Sequence, residues 1–150
     1  LQVVGTVFAA LLGLAFGSFL NVVLARLPEE ENIAWPGSHC RHCDHMLSWW
    51  ENLPVLSWIL LRGRCRQCQV PIGIRYPLIE ISIAILWATC WLHFSREIFA
   101  VPQAENLTIP NILLHSVTQV VGYAVLCWML VALGMLDAQH FWLPDRLTLT

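Results

Sequence analysis

Lysine is absent from this chain, and charge of either sign is scarce. Only 12% of its 150 residues are charged, against 57% hydrophobic, whereas soluble domains carry roughly 25% charged residues. That shortage argues against a soluble globular domain and for a membrane protein. Low-complexity tracts are missing too, and so are internal repeats beyond two C-x-x-C pairs. No basic n-region leads into the first apolar run, and no A-x-A-like cleavage site follows it. We therefore read it as a retained membrane helix rather than a cleaved signal peptide. The chain opens on Leu1, not Met, and stops at Thr150 inside a motif, so we expect it to be a piece of a longer protein.

What is present is mostly membrane-length apolar sequence. Residues from Leu1 to about Leu24 are uncharged and apolar, and a helix needs roughly 20 such residues to cross the hydrocarbon core. Gly5, Gly13 and Gly17 suit close approach to another helix. Ser18 and Asn21 share a helix face. They either bond to a neighbouring helix or line a site near the membrane boundary. A second span is expected from Pro77 to about Phe94, with Glu80 one turn inside. That acid is either favoured there by the helix dipole or a functional group inside a membrane segment. A third span runs from Asn111 to about Leu136. His115 near its start reads as a boundary residue, and Cys90 and Cys127 as small buried hydrophobes.

Of the eight basic residues, all Arg, six lie between Arg26 and Arg75, while the next connection holds only Arg96. Loops rich in Arg stay on the cytoplasmic side. The loop between the first two spans is thus expected to be cytoplasmic. The third span then returns the chain to that same side at Asp137.

That loop carries Cys40-Arg41-His42-Cys43 and Cys65-Arg66-Gln67-Cys68. Four thiolates from two tight turns can close a tetrahedral site around one zinc ion. Such a site has no open position and is structural. Two alternatives are a redox dithiol pair and replacement of one sulfur by His39, His42 or His45, which otherwise read as solvated or supporting residues. Between the knuckles, Trp49 to Leu60 is aromatic and amphipathic, and Pro54 interrupts it. It lies either at the membrane interface or against the knuckles.

A second constellation follows the third span: Asp137, then Leu143-Pro144-Asp145-Arg146. Leu-Pro-Asp reads as a new helix start with Pro144 in its first turn. The helix dipole and Arg146 would both favour the ionised form of Asp145, and taken alone these acids read either as a helix cap with a salt bridge at the membrane boundary or as catalytic carboxylates.

Taken together, these stretches resemble the bacterial type IV prepilin peptidases, peptidase family A24. The resemblance rests on Gly17-Ser18-Phe19-Leu20-Asn21-Val22 with Arg26-Leu27-Pro28, on the two knuckles, and on Glu51-Asn52-Leu53-Pro54-Val55-Leu56-Ser57-Trp58. It continues through Arg75-Tyr76-Pro77-Leu78-Ile79-Glu80 to Asp137 and Leu143-Pro144-Asp145. It implies a multi-pass protein of the bacterial inner membrane, with the zinc loop and Asp145 on the cytoplasmic side. There, an aspartic endopeptidase cuts the leader from prepilins and pseudopilins, and S-adenosylmethionine serves methylation of the new N-terminus. Asp145 matches the first of two catalytic aspartates, and Asp137 matches a recurrent acid of the same motif. The second aspartate belongs to a Gly-x-Gly-Asp motif that these residues lack, so they should not hydrolyse peptides by themselves.

The expected architecture is all-α and membrane-integral: three spanning helices, a cytoplasmic loop with zinc on Cys40, Cys43, Cys65 and Cys68, and the start of a fourth helix. Residues 1–115 would form an N-terminal domain (helix 1, zinc loop 28–76, helix 2), and 116–150 the start of the aspartic peptidase domain. Expected cofactors are structural zinc and, by resemblance, S-adenosylmethionine. Expected partners are prepilin or pseudopilin substrates and the bilayer, with no nucleic acid. The rival readings are a non-enzymatic, zinc-stabilised membrane adaptor and a membrane thiol oxidoreductase.

Overall fold

The computed structural model describes residues 2–100 and 109–140. Its elements are α1 (Gln2–Arg26), α2 (Leu56–Leu60), α3 (Arg75–Ala100) and α4 (Ile109–His140). Among the described residues there is no strand, only two isolated bridges in the loop between α1 and α3. Three segments are long and apolar enough to cross a membrane: Gln2–Glu29, Arg75–Arg96 and Val117–Ala138. The all-α reading with three spans holds. Its second helix is longer than expected, because Pro77 is tolerated in the first turn and the helix continues past Phe94 to Ala100. The expected start of a fourth helix at Pro144 lies outside the described residues.

α1 and α3 run antiparallel and meet backbone to backbone. A Cβ placed on Gly13 would lie 2.6 Å from Ala84 Cα, and one on Gly17 2.6 Å from Glu80 Cα. Only glycine admits so close an approach, and in lipid such packing replaces the hydrophobic drive that helices lack there. α4 packs mainly on α3. Indole N–H groups join the three helices. Trp91 donates to Gln2 O, Trp87 to Ala124 O and Trp128 to Phe16 O, at 3.0–3.3 Å. Large apolar side chains such as Val3, Phe8, Leu114 and Leu130 remain exposed, as a lipid-facing surface requires.

The core gathers at one end of the bundle. Leu20 and Leu24 of α1, Ile79 and Ile83 of α3 and Ala132 of α4 form it, with Met135 and Leu136 against it. The C-terminal end of α4, carrying half-buried Asp137, therefore lies at the same end as the loop between α1 and α3. His115 is exposed. Cys90 and Cys127 face each other between α3 and α4 and are half-buried rather than buried.

Candidate metal centre and the cavity beside it

The two knuckles are copies of one turn. Cys40 N–H donates to His45 O, and Asp44 N–H to Cys40 O; Cys65 N–H donates to Val70 O, and Gln69 N–H to Cys65 O. Asp44 and Gln69 hold the equivalent left-handed position, at φ 55 and 58. Bridges His39–Met46 and Arg64–Pro71 close the two turns at the same register. Each turn presents its sulfurs to the other, and all four lie within 4.8 Å of one another.

The closest sulfurs come from different pairs: Cys40 to Cys68 at 3.8 Å and Cys43 to Cys65 at 4.0 Å. This is one four-atom cluster rather than two dithiols, and none of its cysteines is in a disulfide. A tetrahedral zinc with bonds of about 2.3 Å needs sulfurs about 3.8 Å apart, so the four could hold one such ion. Backbone N–H groups of Cys68 and Gln67 point at the Cys65 sulfur and bring its pKa down to about 6. Cys43 is pushed up to about 12. The His45 N–H favours its thiolate, but burial and the neighbouring sulfurs outweigh it.

The histidines support the cluster from outside. His39 Nδ1 lies 3.1 Å from Gly37 O, and His42 is exposed. The His45 ring lies 3.3 Å from Glu51 Oε2, and the same oxygen accepts Ser48 N–H at 2.8 Å. The first knuckle is thereby tied to the turn Trp49–Asn52. Trp58 donates to Ile72 O at 3.1 Å and covers Gly63, while Arg66 stacks over Trp50 at 5.2 Å. Trp49, Leu56, Ile59 and Leu60 stay exposed. The segment thus packs in part against the knuckles, through Trp50 and Trp58, and leaves its other large apolar side chains exposed.

Three clasps join the loop to the helices. Arg26 is 6% exposed, and its guanidinium donates to the carbonyls of Asn32, Ile33, Pro36 and Gly37. Arg41 donates to Ala25 O at 2.6 Å and pairs with Glu29 at 3.1 Å. Val55 N–H donates to Glu80 Oε2 at 2.7 Å. Val55 sits at φ 60, a costly backbone for a β-branched residue, and the bond to Glu80 helps hold it there. Asn21 donates to Tyr76 O at 3.1 Å. Beneath these clasps lies a cavity of about 550 Å³, lined by Ser18, Asn21 and Glu80 from the helices and by Glu51, Asn52 and Trp58 from the loop. Asn21 thus bonds across helices, as one of its two readings has it, and also lines the cavity.

Residues 11–94 match the model of the bacterial peptidase A24 N-terminal domain. The chain belongs to that family. Over 95% of its length it is 41% identical to the prepilin leader peptidase/N-methyltransferase of Myxococcus xanthus (strain DK1622) and covers 36% of that protein. The like-named protein of Burkholderia pseudomallei (strain 1026b) is 39% identical over 95% of this chain and 48% of its own length. That of Klebsiella pneumoniae is 37% identical over 95% and 56%. The chain thus spans between about a third and somewhat over half of these relatives. No solved structure matches it.

The structure brings Cys40, Cys43, Cys65 and Cys68 together, as their spacing implies. Asp145, Pro144 and Arg146 lie outside the described residues. The sequence reading counted Arg26 toward topology and the resemblance and missed it as a clasp. The one available signal was an Arg directly after an uninterrupted apolar run.

Proposed function

We propose that this chain is the N-terminal part of a membrane-bound prepilin leader peptidase that also N-methylates its product. Its carrying observation is the match to proteins of that name along 93–97% of the chain. The four-sulfur cluster at the ends of the spanning helices supports a structural zinc on Cys40, Cys43, Cys65 and Cys68. A closed shell of four thiolates leaves no coordination position for substrate, so the ion's chemistry there is to hold the loop in shape. Six Arg between Arg26 and Arg75 support a cytoplasmic loop in the bacterial inner membrane.

In this reading, residues 1–115 form the N-terminal domain, and 116–150 begin the aspartic peptidase domain. Asp145 supplies one of two carboxyls. One carboxyl of such a pair, ionised, activates water, and the other, protonated, donates to the leaving group. The substrates are prepilins or pseudopilins, and S-adenosylmethionine supplies the methyl group. The cavity beside the zinc loop has room for a small ligand of that second chemistry.

Full-length protein carrying Asp145→Asn should lose leader cleavage while keeping its zinc. Cleavage at the wild-type rate would remove Asp145 from the mechanism. Purified wild-type protein without about one zinc per chain would remove the structural ion.

A further inference from the structure

Exposed Arg66 and Arg75 at the cavity wall stack over Trp50 and Tyr76, and the buried charged side chains around the cavity are matched with one exception. Arg26 has its four carbonyls, Arg41 has Glu29 and Glu31, and Glu51 has His45. Glu80 is the exception. It is 8% exposed, and no basic side chain among the described residues lies within ion-pair distance of it. Its neighbours are the Val55 N–H at 2.7 Å and the side chains of Ser18 and Asn21. A carboxylate offers roughly four acceptor sites, so these neighbours leave room for another donor. Glu80 also lines the cavity, whose volume of about 550 Å³ is in the range of small-ligand sites.

The walls of that cavity limit what it can take. Apolar side chains such as Val22, Trp58, Leu61 and Ile72 alternate there with polar ones such as Ser18, Asn21 and Glu80. A ligand that suits both has an apolar body and a compact cationic head with several N–H donors. A primary ammonium at the end of an apolar peptide meets each requirement. Membrane-buried acids pair with a cation or mark a pathway for one, and here no basic side chain among the described residues pairs with Glu80.

We propose that Glu80 receives the free α-ammonium group of an apolar peptide N-terminus in this cavity. The inference rests on the reading above, in which leader cleavage releases such an amine and methylation consumes it. The side chains of Ser18 and Asn21 and the Val55 N–H hold the carboxyl in place. Glu80 is then a binding residue for the amine as well as the anchor of the Val55 turn.

The test is calorimetric, on full-length zinc-loaded protein in detergent, with a short apolar peptide in free-amine and N-acetylated forms. Wild type should bind the free amine about tenfold or more tightly than the acetylated form, the scale of one charge-assisted hydrogen bond. Glu80→Gln still accepts from Val55 N–H but carries no charge. It should abolish the preference and leave the affinity for the acetylated peptide unchanged. Equal affinity of wild type for the two peptides overturns the proposal without any variant. A Glu80→Gln protein that keeps the preference overturns it as well. Loss of both affinities alike would make Glu80 only a support for Val55 and would also overturn it. The readout needs no turnover. A protein that discriminates the peptides yet neither cleaves nor methylates would sink the functional reading and leave the amine site standing.

Discussion

Between α1 and α3 the backbones nearly touch. Gly13 and Gly17 leave no room for a side chain against Ala84 and Glu80, and the contact extends along the helices through Trp91 and Gln2. The loop they carry is built the other way. Among its buried groups are a charge on Glu51 and a sulfur of Cys65, and large apolar residues such as Trp35, Trp49 and Leu60 lie outside. The helix pair gains stability from many small contacts spread over its length. The loop concentrates its stability in one four-sulfur point and three clasps. Distributed contacts degrade gradually, whereas a point support fails at once.

Removing the metal should therefore separate the two regions. Chelation, or Cys40→Ser with Cys65→Ser, is expected to unfold the loop while the helices keep their circular-dichroism signal. Structural zinc sites of this kind contribute about 10 kcal/mol or more. A cooperative loss of both regions would show that the helices depend on the loop after all.

Arg26→Met comes next, because it leaves four carbonyls without their donor at the seam. We expect a loss of about 3 kcal/mol, read as faster zinc release to a chelator. Arg26→Lys should recover only part of it, since an ammonium cannot fork to four acceptors in one plane. Gly17→Leu acts on the helix side alone. It should lower the melting temperature in detergent by the equivalent of about 2 kcal/mol with the zinc content unchanged. Zinc loss in that variant would mean that the seam transmits strain from the helices into the loop.

The smallest effect is an acid-side one. Burial alone would raise the Glu51 carboxyl, but the Ser48 backbone N–H and hydroxyl and the His45 ring outweigh it and hold it below the usual 4.5. A carboxyl depressed in the folded state adds stability above its unfolded pKa, and that stability is lost as pH falls through the lower folded value. Unfolding of wild type should thus steepen below about pH 4.5, and Glu51→Gln should flatten that limb. An unchanged acid limb would place the dominant carboxyl elsewhere.

The sequence made the repeated and the periodic legible. Spans show as runs without charge, close helix approach as Gly13 and Gly17, and the metal centre as two copies of C-x-x-C. What stayed hidden depends on contacts between residues far apart in the chain. Nothing near Val55 announces its positive φ, because the group that helps hold it, Glu80, comes from another element. Arg26 gives no local sign of burial, because its four acceptors are backbone carbonyls, which every residue carries. The return of Asp137 to the end that carries the loop was legible from the alternation of the spans, and the core around Leu20, Ile79 and Ala132 places the α4 end beside the loop. Asp145 is the part of the candidate chemistry read from the resemblance and from its helix-start context alone.

The clasps at Arg26, Arg41 and Val55 have a mechanical consequence. Supports at several points restrain the rotation of a body more than a single one does. The zinc loop is tied in this way to the ends of α1 and α3, which opposes the swing of a lid on a hinge. A molecule that uses the cavity beneath then meets walls that are held in place. The fit then selects by the shape of what arrives rather than by closing around it.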